Sequence, residues 1–119
     1  MTVLVVEDEP GIRDFLSLVL AEEGFRVTTA GDGLEALRLV EREPPAIVLT
    51  DLMMPRLDGY GLIARLRAAR LPVRGIIAMS AVGAAGQEPL GADLFLAKPF
   101  AIEQLLTSIH RLLVDLAPD

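Results

Sequence analysis

The chain of 119 residues has no cysteine and no tryptophan, and aromatic residues make up only 4% of it. Without cysteine there is neither a disulfide framework nor a thiolate metal site. No apolar run approaches the roughly 18 consecutive residues that a membrane span needs. A basic excess is lacking too: 11 Lys and Arg stand against 17 Asp and Glu, a net charge of −6. Direct nucleic-acid binding, which rests on a basic footprint, is therefore disfavoured. The stretch Met1 to Val6 has no basic segment and runs straight into three acids, unlike a secretory leader. The expectation is a cytoplasmic protein with no membrane partner. What is present is 52% hydrophobic and 24% charged residues, enough for one domain over 1–119 with a real core, and too few for two.

The most informative stretch is Ala46 to Gly59, AIVLTDLMMPRLDG. Ala46 to Thr50 is a continuous apolar run of the kind buried on both faces of a parallel sheet, and it stops abruptly at Asp51. Taken alone, such an aspartate also fits a turn former or helix cap. Thr2 to Val6 is a second buried-strand run, ending on Glu7-Asp8-Glu9, with Pro10 suited to the first position of a helix. Ile12, Phe15, Leu16, Val19 and Leu20 predict one helical face, and Gly24 suits the helix end. Phe25 to Ala30 predicts a strand near a sheet edge. Asp32 with Glu35 predicts a capping box, followed by the stripe Ala36, Leu37 and Val40. Asp58-Gly59 opens a helix carrying Leu62, Ile63 and Leu66, and Pro72 breaks it. Gly75 to Met79, ending on Ser80, and Leu94 to Ala97 complete the strands. The last helix holds Ile102, Leu105, Leu106, Ile109, Leu112, Leu113 and Leu116 on one face. His110, the only histidine, lies beside that stripe and reads as a surface or capping residue.

Strands alternating with helices predict an α/β domain: a five-stranded, doubly wound parallel sheet with right-handed crossovers. In such a sheet all strand ends emerge at one edge, where ligands bind. Glu7 and Asp8, Asp51, Ser80 and Lys98 would meet there. Carboxylates packed together repel unless a cation compensates, and oxygen-only donors at a partly open site suit Mg²⁺. Lys98 adds a positive charge, so a phosphoryl group is the anion that fits. A carboxylate can accept one as an aspartyl phosphate.

Five stretches, VLVVEDEP, LTDLMMPRLDG, Ser80-Ala81, Gly91-Ala92-Asp93 and AKPF at 97–100, together resemble the receiver domain of two-component response regulators across the whole chain. The resemblance implies a flavodoxin-like strand order of 2-1-3-4-5. It implies that Asp51 takes a phosphoryl group from a histidine kinase or phosphotransfer protein, and that the domain then switches an output domain or protein partner. Asp8 would bind Mg²⁺ directly, Glu7 mostly through water, and the backbone carbonyl of Met53 would complete the protein's share. Ser80, Lys98 and the N–H of Ala81 would hold the phosphoryl oxygens, and Lys98-Pro99 would be a cis peptide. Ser80 and Phe95 would form the switch, although ordinary core packing also fits Phe95. His110 is then neither ligand nor phosphodonor. The domain would catalyse only its own phosphorylation and a slow self-dephosphorylation, since Met53 and Val82 offer no polar group to orient water.

Two other readings compete. A haloacid-dehalogenase-type phosphatase needs a second aspartate two residues after its nucleophile, where Met53 stands here. A degenerate receiver acting as a phosphorylation-independent binding module would be expected to lack an acid or the lysine, and none is missing. The chain departs from its family between Ser80 and Gly91. That interval is about one helical turn short and carries Gly83, Gly86 and Pro89, so a shortened or disordered fourth helix is expected over 82–90. With Leu94 where an acidic residue usually follows Gly-Ala-Asp, phosphorylation-driven dimerisation through that face is not expected. Only Ala117-Pro118-Asp119 follow the last helix, which leaves open a stand-alone receiver or a domain of a longer chain.

Overall fold

A computed structural model describes residues 1–81 and 91–115. In chain order the elements are β1 (Thr2–Val6), α1 (Pro10–Glu22), β2 (Arg26–Ala30), α2 (Gly33–Arg42), β3 (Ile47–Asp51), α3 (Gly59–Ala68), β4 (Gly75–Ala81), β5 (Leu94–Lys98) and α4 (Ile102–Asp115). The five strands form one sheet in the order β2-β1-β3-β4-β5, with every pairing parallel. This is the expected flavodoxin-like, doubly wound order. The shortened or disordered helix expected over 82–90 lies outside the described residues, as does Leu116.

The sheet divides the interior in two. Because side chains alternate along a strand, Leu4 and Val6 go to one side and Val3 and Val5 to the other. The first side is closed by α2 and α3 through Ala36, Val40, Leu62, Ile63 and Leu66. The second is closed by α1 and α4 through Leu16, Leu20, Leu105, Ile109 and Leu112. All five residues of β3 are buried, which explains its unbroken apolar run up to the charged end.

Local chemistry sets the helix boundaries. The Asp32 side chain accepts from the Glu35 N–H at 2.9 Å, and Glu35 reaches back to the Gly31 N–H at 2.9 Å, a capping box shifted by one residue. Asp58 caps α3 by accepting from the Gly61 N–H at 2.8 Å. Gly24, at φ 93°, takes the left-handed conformation expected after α1. At the entrance to β5, Arg67 donates to the Gly91 carbonyl and to Asp93, each at 2.8 Å, while Asp93 accepts the Ile76 N–H at 2.7 Å. This gives the Gly-Ala-Asp motif its structural meaning: it ties α3 to the start of the last strand.

Two expectations need correction. Ile12 and Phe15 are exposed, at 40% and 52%, instead of lying on the core face. Only Leu16 and Leu20 of α1 are buried. The first turn stands at the carboxyl edge of the sheet, where Ile12 borders a shallow apolar hollow with Ala81, Lys98, Pro99 and Phe100. The fourth strand also runs on through Ser80 to Ala81, because β5 continues to pair with it up to Ala81 and Lys98.

Gly59 allows α3 to start directly against β3. A Cβ there would lie 2.3 Å from the Asp51 carbonyl oxygen and 2.7 Å from the Leu52 Cα. At Gly61 the close neighbour is Cδ1 of the Leu57 side chain, which can move. Gly59→Ala should therefore destabilise by about 1–3 kcal/mol through overpacking against backbone. Gly61→Ala should stay within about 1 kcal/mol of wild type, since alanine's helix preference offsets a small rearrangement. Urea unfolding of the two variants checks the contrast.

Candidate functional site

The parallel register brings the charged strand ends into one place. Val6 pairs with Thr50, Asp51 with Met79, and Ala81 with Lys98, so Glu7, Asp51, Ser80 and Lys98 follow one another across the carboxyl edge. The Lys98 ammonium donates to Glu7 Oε1 at 2.8 Å and to Asp51 Oδ2 at 2.9 Å. Asp51 Oδ1 accepts the Met53 N–H at 3.2 Å. Glu7 and Asp51 are buried, Asp8 is exposed, and one carboxylate oxygen from each of the three lies within 4.8 Å of the others. Arg13 donates to the Glu7 carbonyl at 2.9 Å, bracing the turn that presents the acids.

Burial pushes the Glu7 carboxyl up to about 7. The hydrogen bond from Lys98 opposes that rise and the neighbouring Asp51 reinforces it. Burial also works against the Lys98 ammonium, but its bonds to Glu7 and Asp51 prevail and hold its pKa above the ordinary value. The site thus holds an excess of acid, partly relieved by one lysine and by the raised proton affinity of Glu7. Hard oxygen donors converging beside an open, solvent-facing Asp8 match what Mg²⁺ requires: few carboxylates and room for water. The residues present fit that ion.

Glu7, Asp8, Asp51 and Lys98 are brought together as expected. Ser80 is buried beside them, one residue past the partner of Asp51. Ala81 is exposed opposite Lys98, and Met53, with its side chain open to solvent, meets Asp51 through its backbone N–H. Phe95 is not part of the polar cluster. It pairs with Ala78 and packs, half-buried, against the core on the α2–α3 side. His110 is exposed on α4, as expected, and Val82 lies outside the described residues. The Lys98–Pro99 bond is cis. Sequence reasoning missed the partner of Asp32, whose carboxylate accepts from Arg56 24 positions away. The Glu35 N–H, with the Arg56 guanidinium, holds Asp32 below the usual carboxylate range.

The family model described as response regulator receiver domain matches residues 3–110. The chain belongs to the response regulator receiver domain family. It is 41% identical, over its whole length, to the response regulator MprA of Mycobacterium leprae, of which it covers 54%. A response regulator MprA from a second Mycobacterium strain, KMS, is 40% identical over 98% of the chain, which covers 52% of that protein. The chain therefore spans about half the length of the curated relatives it matches. Among solved structures, the Francisella response regulator 1452 receiver domain superposes with a TM-score of 0.86 at 33% identity, covering 93% of this chain and 94% of that one. The NtrX receiver domain of Brucella abortus does so with a TM-score of 0.84 at 30% identity, covering 93% and 97%. Among the described residues of this receiver, no helix is long and apolar enough to cross a membrane.

Glu7 gives the metal-free receiver a distinctive pH response. Its folded-state pKa is raised from 4.5 to about 7, so folding favours the protonated form. The stability it contributes is complete below its ordinary pKa and is lost as pH rises through about 7. Denaturant unfolding of wild type and Glu7→Gln between these values should show the wild type losing stability relative to the variant as pH rises. Parallel pH profiles would contradict the assignment.

Proposed function

We propose that Asp51 is the phosphoacceptor of this receiver and that the surrounding residues perform the transfer onto it. The observation that carries this reading is the Lys98 ammonium held on Asp51 and Glu7 at the open end of the sheet. Once Lys98 releases it, Asp51 Oδ2 attacks the phosphorus of a phosphohistidine on a histidine kinase or phosphotransfer protein. The P–O bond forms as the P–N bond breaks, and the departing imidazole keeps the electron pair and takes up a proton. Such transfers depend on positioning and on neutralising the equatorial oxygens.

Each residue has a part in that neutralisation. Lys98 shifts from the carboxylates to a phosphoryl oxygen, and Ser80 and the Ala81 N–H hold another. Asp8, with Asp51, the Met53 carbonyl and, mostly through water, Glu7, would hold Mg²⁺. The ion supplies positive charge against the transferring group and the acids. A phosphoryl group adds about two negative charges and three acceptor oxygens, and the response lies in Ser80 turning towards it while Phe95 rotates inward. The domain is a switch that acts on itself, with no separate substrate to turn over. Its partners are the phosphodonor protein and an output domain or protein, since the response regulators it resembles are about twice its length. Its acidic charge speaks against direct nucleic-acid contact by this domain and against attraction to an anionic membrane surface, and its lack of cysteine fits a cytoplasmic setting.

Intact-mass spectrometry after incubation with acetyl phosphate and Mg²⁺ tests the assignment. Wild type should gain one phosphoryl group and Asp51→Asn none, and undiminished labelling of the variant would sink the reading. Asp8→Ala should weaken Mg²⁺ binding more than about tenfold, because loss of outer partners alone typically does that much. Met53 leaves no polar side chain to orient an attacking water. The phosphoprotein should accordingly decay more slowly in wild type than in Met53→Asn.

A further inference from the structure

The segment between β3 and α3 carries Met53, and it is fastened to the far side of the site by contacts that no part of the transfer requires. Arg56 sits at φ 67°, a left-handed conformation unusual for a side chain larger than glycine or asparagine. Its Nε donates to Asp32 Oδ2 at 3.0 Å, and a second guanidinium nitrogen donates to the same oxygen. The other oxygen of Asp32 caps α2 through the Glu35 N–H. One residue along, the Gly33 N–H donates to the Leu57 carbonyl at 3.0 Å. This approach is so close that a Cβ at position 33 would lie 2.1 Å from that oxygen. At the ends of the same segment the Gly59 N–H donates to the Leu52 carbonyl at 3.0 Å. The backbone from Leu52 to Gly59 is therefore held at its ends and at its middle. Met53 stands between those fixings, with its N–H on Asp51 Oδ1.

We propose that the Asp32–Arg56 pair is a positioning element for the acidic site: it fixes the Met53 backbone against Asp51 without touching the metal or the phosphoryl group. Asp32, nearly buried and anchored to α2, is the rigid side, and Arg56, largely exposed, is the strap. Backbone strain of this kind persists only where the surroundings over-determine it, and here the pair and the Gly33–Leu57 bond do so. The proposal rests on the reading of Asp51 and Met53 given above.

Simple electrostatics makes the opposite prediction for one variant. Removing the Arg56 charge near a cation site should tighten Mg²⁺ binding if charge alone matters. A lost strap should weaken it, by about tenfold for an outer partner. The test compares wild type, Asp32→Asn (which still caps α2), Arg56→Gln, the double variant and Arg56→Lys. Isothermal titration with Mg²⁺, amide exchange at Met53 in the metal-free protein, the acetyl phosphate labelling rate and the thermal midpoint are measured for each.

Both single variants should bind Mg²⁺ about tenfold more weakly and exchange faster at Met53. The double variant should be no worse than the poorer single one, and Arg56→Lys should restore part of the loss. Tighter Mg²⁺ binding in Arg56→Gln, multiplying losses in the double variant, or a lowered thermal midpoint with Mg²⁺ affinity and Met53 exchange unchanged would each overturn the proposal. Should wild type take no label, the reading of Asp51 fails alone, because titration and exchange still report on the strap.

Discussion

The ammonium of Lys98 shared between Glu7 and Asp51 is the interaction on which the site depends. Two buried carboxylates at the ends of adjacent strands would repel each other and the exposed Asp8. The lysine makes their closeness tolerable, and burial eases it further by raising the Glu7 pKa from the ordinary carboxylate range. This compensation is incomplete by design of the surroundings: an added cation meets oxygen donors already converged, and an added anion meets an ammonium already in place. Readiness for both follows from one arrangement of charge.

That arrangement in turn depends on the sheet. Only an all-parallel order puts the ends of β1, β3, β4 and β5 on one edge, and only complete coverage of both faces allows strands as apolar as β1 and β3. The helices beneath do more than cover. Arg67 binds the Gly91 carbonyl and Asp93, fixing the start of the strand whose other end carries Lys98. Position at the site is inherited from packing well away from it.

Much of this was legible in the sequence, for identifiable reasons. Ala46 to Thr50 could be read as a central strand because no charged residue interrupts it, and Asp51, Glu7 and Lys98 stood out because each ends such a run. The stripe of α4 was plain from Leu105, Ile109 and Leu112. Ile12 and Phe15 misled because helical periodicity marks a face and says nothing of how far the sheet extends beneath it. Arg56 gave no sign of a left-handed backbone, which is expected of glycine or asparagine. Its bond to Asp32, like that of Arg67 to Asp93, joins positions more than twenty residues apart, and no local pattern carries such pairs. The rise in the Glu7 pKa was equally hidden, since it comes from burial produced by the assembled fold.

The separation in sequence between Glu7 and its lysine has a consequence for the growing chain. They stand 91 positions apart, and Asp51 and Lys98 stand 47 apart. The acids emerge early in synthesis, whereas their counter-charge arrives on the last strand. Until β5 has docked on β4, the carboxyl edge is an uncompensated anionic surface that resists burial. The compensated site therefore marks a sheet that has received β5, and a chain lacking that strand presents the acids without the lysine.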